Sequence, residues 1–322
     1  MIVRKGCRYV LLLWLTVLAF FVGAGEQPNP PARQGERPGR PAAPGKSAPP
    51  QFRVPAGVKV ERDIEYVAGG GKSRSLDIYL PEKPEGKLPL VVWIHGGAWL
   101  GGDKDGCPAA RMVSRGYVAA SINYRLSQEA IFPAQIEDCK AAIRWLRANA
   151  DKYNIDADRI GVWGSSAGGH LVALLGTSGD VKELEGKEGP LNVSSRVQAV
   201  CDWFGPTDFL KIGNFPSTLK HFAPDSPESK LIGAPVLESK DKAAKANPIT
   251  YITKDDPPFL IMHGDKDMTV PMNQSELLFE ALKKADMDVT FHTVKGAGHG
   301  FGGAEVNKMV DEFFDRVLMG KK

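Results

Sequence analysis

The chain has 322 residues, 43% of them hydrophobic and 25% charged, enough to bury a large core as one domain or two small ones. Its formal charge of +3 comes from the start of the chain, where Arg4, Lys5 and Arg8 fall in residues 1–25 and Arg33, Arg37, Arg40, Lys46 and Arg53 outnumber Glu26 and Glu36 in residues 26–56. Residues 57–322 therefore carry a net charge of −3, which excludes the basic footprint of a nucleic-acid-binding protein.

Residues 1–25 run from those three basic residues through the apolar YVLLLWLTVLAFFV to the small residues GAG, a pattern that predicts a secretory signal peptide. The apolar run is shorter than the roughly 20 residues a membrane span needs. A secreted or periplasmic protein with no stable membrane insertion after leader cleavage is expected. Residues 26–56, with EQPNPPARQGERPGRPAAPGKSAPP, are too rich in Pro, Gly and charge to bury a core and predict a disordered spacer.

From residue 57 onward strands alternate with helices. VERDIEYV, RSLDIYL and LPLVVWIHGG predict strands, followed by a helix near 107–115, the strand YVAASINYRL and a helix over about 133–149. Next come the strand RIGVWG and the helix AGGHLVALLG, then the strands RVQAVCDWFGP and PPFLIMHGD, a helix near 272–285, the strand DVTFHTVKG and a last helix near 304–318. Continuous apolar runs separated by helices predict an α/β fold, a mostly parallel sheet with helices on both faces, whose ligands sit beyond the carboxyl ends of the strands. An insert near 205–250 predicts a partial cap over those ends. Cys107, Cys139 and Cys201 allow one disulfide at most, and Cys139, in phase with Ile136, Ile143 and Leu146, reads as a small core residue.

The stretch GVWGSSAGGH, residues 161–170, carries the sharpest motif. In G-x-S-x-G the glycines flank the nucleophile because strand and helix backbones pass very close at a strained turn. Centred on Ser166 the flanking residues are Gly164 and Gly168; centred on Ser165 they are Trp163 and Ala167, so Ser166 is the candidate nucleophile. A serine hydroxyl needs a base, an acid to hold that base, and N–H donors for the oxyanion. His299, in a loop where Gly298 and Gly300 are expected to permit close approach to the elbow, is the candidate base. The HGGAW turn offers the amides of Gly97 and Ala98, and Ala167 supplies the donor just after the nucleophile. A histidine base predicts a rate that falls on the acid side with a midpoint within about a unit of 6.5.

Two other motifs fail on context. Gly298, Gly300 and Gly303 match a dinucleotide G-x-G-x-x-G, but only 19 residues follow, too few for the rest of that unit. Asp265 and Asp267 resemble the start of a calcium loop, but Thr269 replaces the next ligand. No metal or other cofactor is expected. For the acid, HGDKD leaves Asp265 and Asp267 open, with Asp202 and Asp208 more remote.

Through HGGAW, GSSAGG, HGDKDMTVP and GAGHGF, residues 57 to about 319 resemble the α/β-hydrolase family, and most of all the bacterial HGGxW acetyl and feruloyl esterases. Hormone-sensitive-lipase-type carboxylesterases are more distant, since Ala98 and Ser165 depart from their pattern. The resemblance implies an eight-stranded sheet and cofactor-free hydrolysis of carboxylic esters. The resembled pattern of HG, two residues, the acid and a later VP implies Asp267 as the acid. The need for the loop to fold back toward His299 points the same way. An amidase, formamidase or peptidase using the same Ser-Asp-His set is the alternative chemistry, and a binding protein on an inactive scaffold the non-enzyme alternative. A short acyl or aromatic ester on a polymer is the expected partner, with Trp99 and the insert stretch NFPSTLKHF read either as walls of the acyl pocket or equally as scaffold.

Overall fold

The computed structural model describes residues 53–321. The leader and almost all of the spacer expected from the sequence lie outside the described residues, while Val54, within the spacer boundary, already packs against the core. Eight strands form one sheet in the order β1-β2-β4-β3-β5-β6-β7-β8. They are β1 (Val58–Glu65), β2 (Ser75–Pro81), β3 (Leu88–Ile94), β4 (Val118–Ile122), β5 (Ile155–Ser165), β6 (Ala199–Trp203), β7 (Phe259–Gly264) and β8 (Val289–Val294). β2 pairs antiparallel with both β1 and β4, and every other pairing is parallel. This is the mostly parallel α/β sheet read from the apolar runs.

The helices are α1 (Ala134–Ala148), α2 (Ala167–Thr177), α3 (Pro227–Ile232), α4 (Lys240–Lys245), α5 (Asn273–Lys284) and α6 (Ala304–Met319). The helix expected near 107 forms as a 3₁₀ helix, Pro108–Arg115. Side chains alternate across a strand, so β3 feeds two cores at once. Leu90, Val92 and Ile94 join the cluster containing Ile136 and Ile143 of α1, Leu171 and Leu175 of α2 and Leu278 of α5. Val91 and Trp93 face the other way, with Val310 and Phe314 of α6 and Met112 of the 3₁₀ helix. Burial on both faces explains why these strands read as continuous apolar runs. Cys107, Cys139 and Cys201 are all buried free thiols, and Cys139 packs as the small core residue expected. Among the described residues no helix is long and apolar enough to cross a membrane.

The segment between β6 and β7 folds around α3 and α4 and is tied to the body by polar contacts. His170 on α2 donates from Nε2 to the Ala246 carbonyl at 2.7 Å, and the Phe132 amide donates to the Leu231 carbonyl at 2.8 Å.

Candidate active site

Ser166 lies between β5 and α2 with φ 55° and ψ −122°, a conformation an L-residue adopts at a cost of about 1–3 kcal/mol. Its amide donates to the Trp203 carbonyl of the adjacent strand at 2.9 Å, which holds the turn in that shape. The flanking glycines are required by backbone proximity. A Cβ on Gly164 would lie 2.4 Å from the Gly168 carbonyl oxygen, and one on Gly168 would lie 2.1 Å from that of Ile94. Because neither backbone can retreat from the packed sheet, Gly168→Ala is expected to lower stability by about 3 kcal/mol. Gly302→Ala, where an added Cβ meets nothing within 4 Å, should stay within about 0.5 kcal/mol of wild type in the same urea titration. Equal midpoints for the two variants would refute the crowding argument.

His299 follows β8 and brings its ring to this turn. Nε2 lies 3.0 Å from Ser166 Oγ, and Nδ1 lies 2.7 Å from Asp267 Oδ2. Gly298 and Gly300 do not provide the close approach expected of them: an added Cβ at Gly298 meets only the Lys266 carbonyl oxygen, at 3.8 Å, and at Gly300 nothing within 4 Å. The tight contact is at Gly264, the end of β7, where a Cβ would sit 2.4 Å from the Ala297 carbonyl oxygen. It is the strand end beneath the histidine loop that must lack a side chain.

Asp267 is buried, and its carboxylate accepts from the amides of Thr269 (2.8 Å) and Val270 (3.0 Å) through Oδ1. Burial pushes its pKa upward, but hydrogen bonds from His263 and His299 outweigh this and hold it well below the usual carboxylate range. Asp265 is a turn residue whose Oδ1 accepts from the Gly296 amide at 2.6 Å. Asp202 accepts from the Gly205 amide at 2.9 Å, and burial pushes its pKa up to about 6. Asp208 caps the Leu210 amide at 3.1 Å and pairs with Lys211 at 3.2 Å. Of the four aspartates, Asp267 is the one hydrogen-bonded to His299.

Gly96 sits directly on the elbow, since a Cβ there would lie 2.8 Å from the Ser165 carbonyl oxygen and 3.2 Å from Ser166 Cβ. The loop carrying the Gly97 and Ala98 amides is thereby pressed against the candidate nucleophile. Gly97, Ala98 and Trp99 have φ values of 110°, 56° and 55°, three left-handed residues in succession. His95 braces the loop, with Nδ1 donating to the Gly96 carbonyl at 2.7 Å and its ring stacked on Tyr124. Ala167 opens α2, where a helix leaves its first N–H groups without internal partners.

Trp99 departs from the expected pocket wall. It is 1% exposed and packs edge-on against His170 and Phe209, so it offers almost no surface to a ligand. The left-handed turn directs its indole inward. The insert stretch divides: Phe215 and Leu219 are exposed, while His221 is buried. The Thr218 amide donates to the Met268 carbonyl at 2.6 Å, Ser217 Oγ lies 3.0 Å from the Thr269 carbonyl oxygen, and His221 Nε2 donates to that same oxygen at 3.0 Å. His221 Nδ1 is held by Glu228 at 2.8 Å. The insert thus grips the loop that presents Asp267, a role its spacing in sequence did not disclose. Among the described residues no group of three or more His, Cys, Asp or Glu side chains is placed to hold a metal ion.

The sheet, the strained elbow and strand-end residues in the chain order Ser166, Asp267, His299 define the α/β-hydrolase class. Within it, the BD-FAE family model matches residues 76–282, and the chain belongs to that family. Esterase LipC of Mycobacterium tuberculosis is 32% identical over 241 residues, covering 72% of this chain and 58% of that protein. The chain thus spans less than two thirds of this curated relative. Among solved structures, a truncated carbohydrate esterase from gut microbiota aligns with a TM-score of 0.76 at 37% identity, covering 81% of this chain and 96% of that one. A bifunctional GH43-CE protein of Bacteroides eggerthii gives 0.74 at 40% identity, over 80% of this chain and 38% of that one.

Proposed function

We propose that this chain is a serine esterase that removes short acyl or aromatic acyl groups from polysaccharide, with Ser166, His299 and Asp267 as its triad. The observation that carries the reading is the continuous hydrogen-bond line from Ser166 Oγ through both nitrogens of His299 to Asp267 Oδ2. His299 Nε2 takes the hydroxyl proton as Ser166 Oγ bonds to the ester carbonyl carbon, and the carbonyl electron pair moves onto oxygen. The amides of Gly97, Ala98 and Ala167 receive that oxyanion. Collapse of the tetrahedral adduct breaks the bond to the alcohol, which leaves with the proton from His299. Water then attacks the acyl-enzyme, giving its proton to His299, and the acid departs as Oγ recovers a proton. No step calls for a cofactor.

A polymer-borne ester is supported by the accessibility of the site, with Ser166 half-buried and the His299 side chain 23% exposed. The likeness to a carbohydrate esterase supports the same class. The leader pattern in residues 1–25 supports export, to the periplasm or beyond. Acetate or ferulate release from native acetylated, feruloylated xylan is the test, with 4-nitroanilides of the same acids and a long-chain triglyceride in parallel. Release from xylan is expected, with anilide cleavage slower by orders of magnitude. Activity confined to the triglyceride, or anilide cleavage at the ester rate, would overturn this reading.

A further inference from the structure

We infer that His263 is a positioning residue that tunes His299 through their shared carboxylate. This rests on the triad reading above. Asp267 Oδ2 lies 2.7 Å from His299 Nδ1 and 3.2 Å from His263 Nε2, so one oxygen receives two imidazoles. His263, the penultimate residue of β7, is fully buried.

Its hydrogen positions follow from its partners. Nε2 also lies 2.9 Å from the Val270 carbonyl oxygen, which can only accept, so Nε2 carries hydrogen. Nδ1 lies 2.7 Å from Ser275 Oγ, and the hydroxyl can donate to it. The arrangement is satisfied by neutral His263 with its proton on Nε2, shared between Val270 and Asp267. Asp267 then holds four N–H donors: the amides of Thr269 and Val270 on Oδ1 and the two imidazoles on Oδ2.

Each donor withdraws charge from the carboxylate and lowers its proton affinity. A carboxylate that is already partly satisfied stabilises a facing imidazolium less than a bare one does. His263 therefore keeps His299 in its neutral, proton-accepting form to lower pH, and it fixes the direction in which Oδ2 points. The charged and titratable neighbours are few. His299 faces Asp267, Ser166 and the ring of Phe204. His263 faces Asp267, Ser275, the Phe204 ring and, electrostatically, Asp202 on β6.

The test compares the acid limb of kcat/KM for 4-nitrophenyl acetate in wild type, His263→Leu and His263→Gln, each also in an Asp202→Asn background to remove the neighbouring acid. His263→Leu should move the limb to higher pH by about half a unit. His263→Gln, which restores an N–H donor near the Nε2 position, should bring it back. A folded leucine variant with an unmoved limb, or a glutamine variant shifted as far as leucine, would overturn the inference. Should the leucine variant fail to fold, ¹⁵N-detected histidine spectra of the wild-type protein at pH 7.5 decide. A neutral His263 protonated on Nε2 is expected, and a proton on Nδ1 alone, or on both nitrogens, overturns the inference. Hydrolysis surviving in Ser166→Ala would instead sink the triad reading, which the tautomer measurement does not depend on.

Discussion

Ser166→Ala is expected to lower kcat for a short-chain nitrophenyl ester by at least about 10⁴-fold while leaving the fold intact. The methyl side chain fits a site that already accommodates a Cβ at φ 55°. The loss is therefore chemical: His299 Nε2 keeps its place but has no hydroxyl within reach to deprotonate. Ser165→Ala is the matched control, because Ser165 ends β5 and the hydroxyl hydrogen-bonded to His299 is that of Ser166. It should stay within about tenfold of wild type, as a substitution outside the reacting atoms does. Circular dichroism and steady-state kinetics on the two variants check this. Comparable losses in both, or a Ser166→Ala protein within tenfold of wild type, would remove Ser166 as nucleophile.

The parts of this molecule that were legible in the sequence are those in which one physical constraint acts on consecutive residues. β3, β4, β6 and β7 are buried on both faces, so LVVWI, VAA, AVC and FLIM appear as apolar runs, with the polar Ser121, Asp202 and His263 only near the strand ends. The elbow was equally legible, because Gly164 and Gly168 are demanded by carbonyl oxygens 2.4 and 2.1 Å from where a Cβ would stand. Other features depend on residues far apart in the chain. α3 and α4 have six residues each, less than two turns, so no helical period could develop. β5 begins at Ile155 because that residue pairs with Leu88 of β3, ahead of an irregularity in the ladder, although IDAD carries no apolar run. The grip of Ser217, Thr218 and His221 on the carbonyls of Met268 and Thr269 joins segments about 50 residues apart, and nothing local marks either one. The burial of Trp99 is not legible locally, because the inward turn of its loop is set by three left-handed residues, only one of them glycine.

The proposed acid is the position where two nearby candidates separate most sharply. Asp267→Asn is expected to lower turnover by up to about 10⁴-fold, with folding preserved. The wild-type carboxylate accepts on both oxygens, from two amides through Oδ1 and from His299 and His263 through Oδ2. An asparagine has one acceptor oxygen. If that oxygen keeps the Thr269 and Val270 amides, its NH₂ faces His299 Nδ1. The ring then does best by accepting there, which places its proton on Nε2, the nitrogen that must be bare to receive the Ser166 proton. If the amide flips, two backbone donors lose their acceptor and the loop itself loosens. Asp265→Asn tests the neighbour two residues away. Asp265 serves the Gly296 amide through one oxygen at 2.6 Å, and asparagine retains an acceptor there, so turnover should remain within about threefold of wild type. A large loss in Asp265→Asn beside near-normal turnover in Asp267→Asn would reverse the assignment. It would also mean that the 2.7 Å bond between His299 Nδ1 and Asp267 Oδ2 does not set the tautomer of the base.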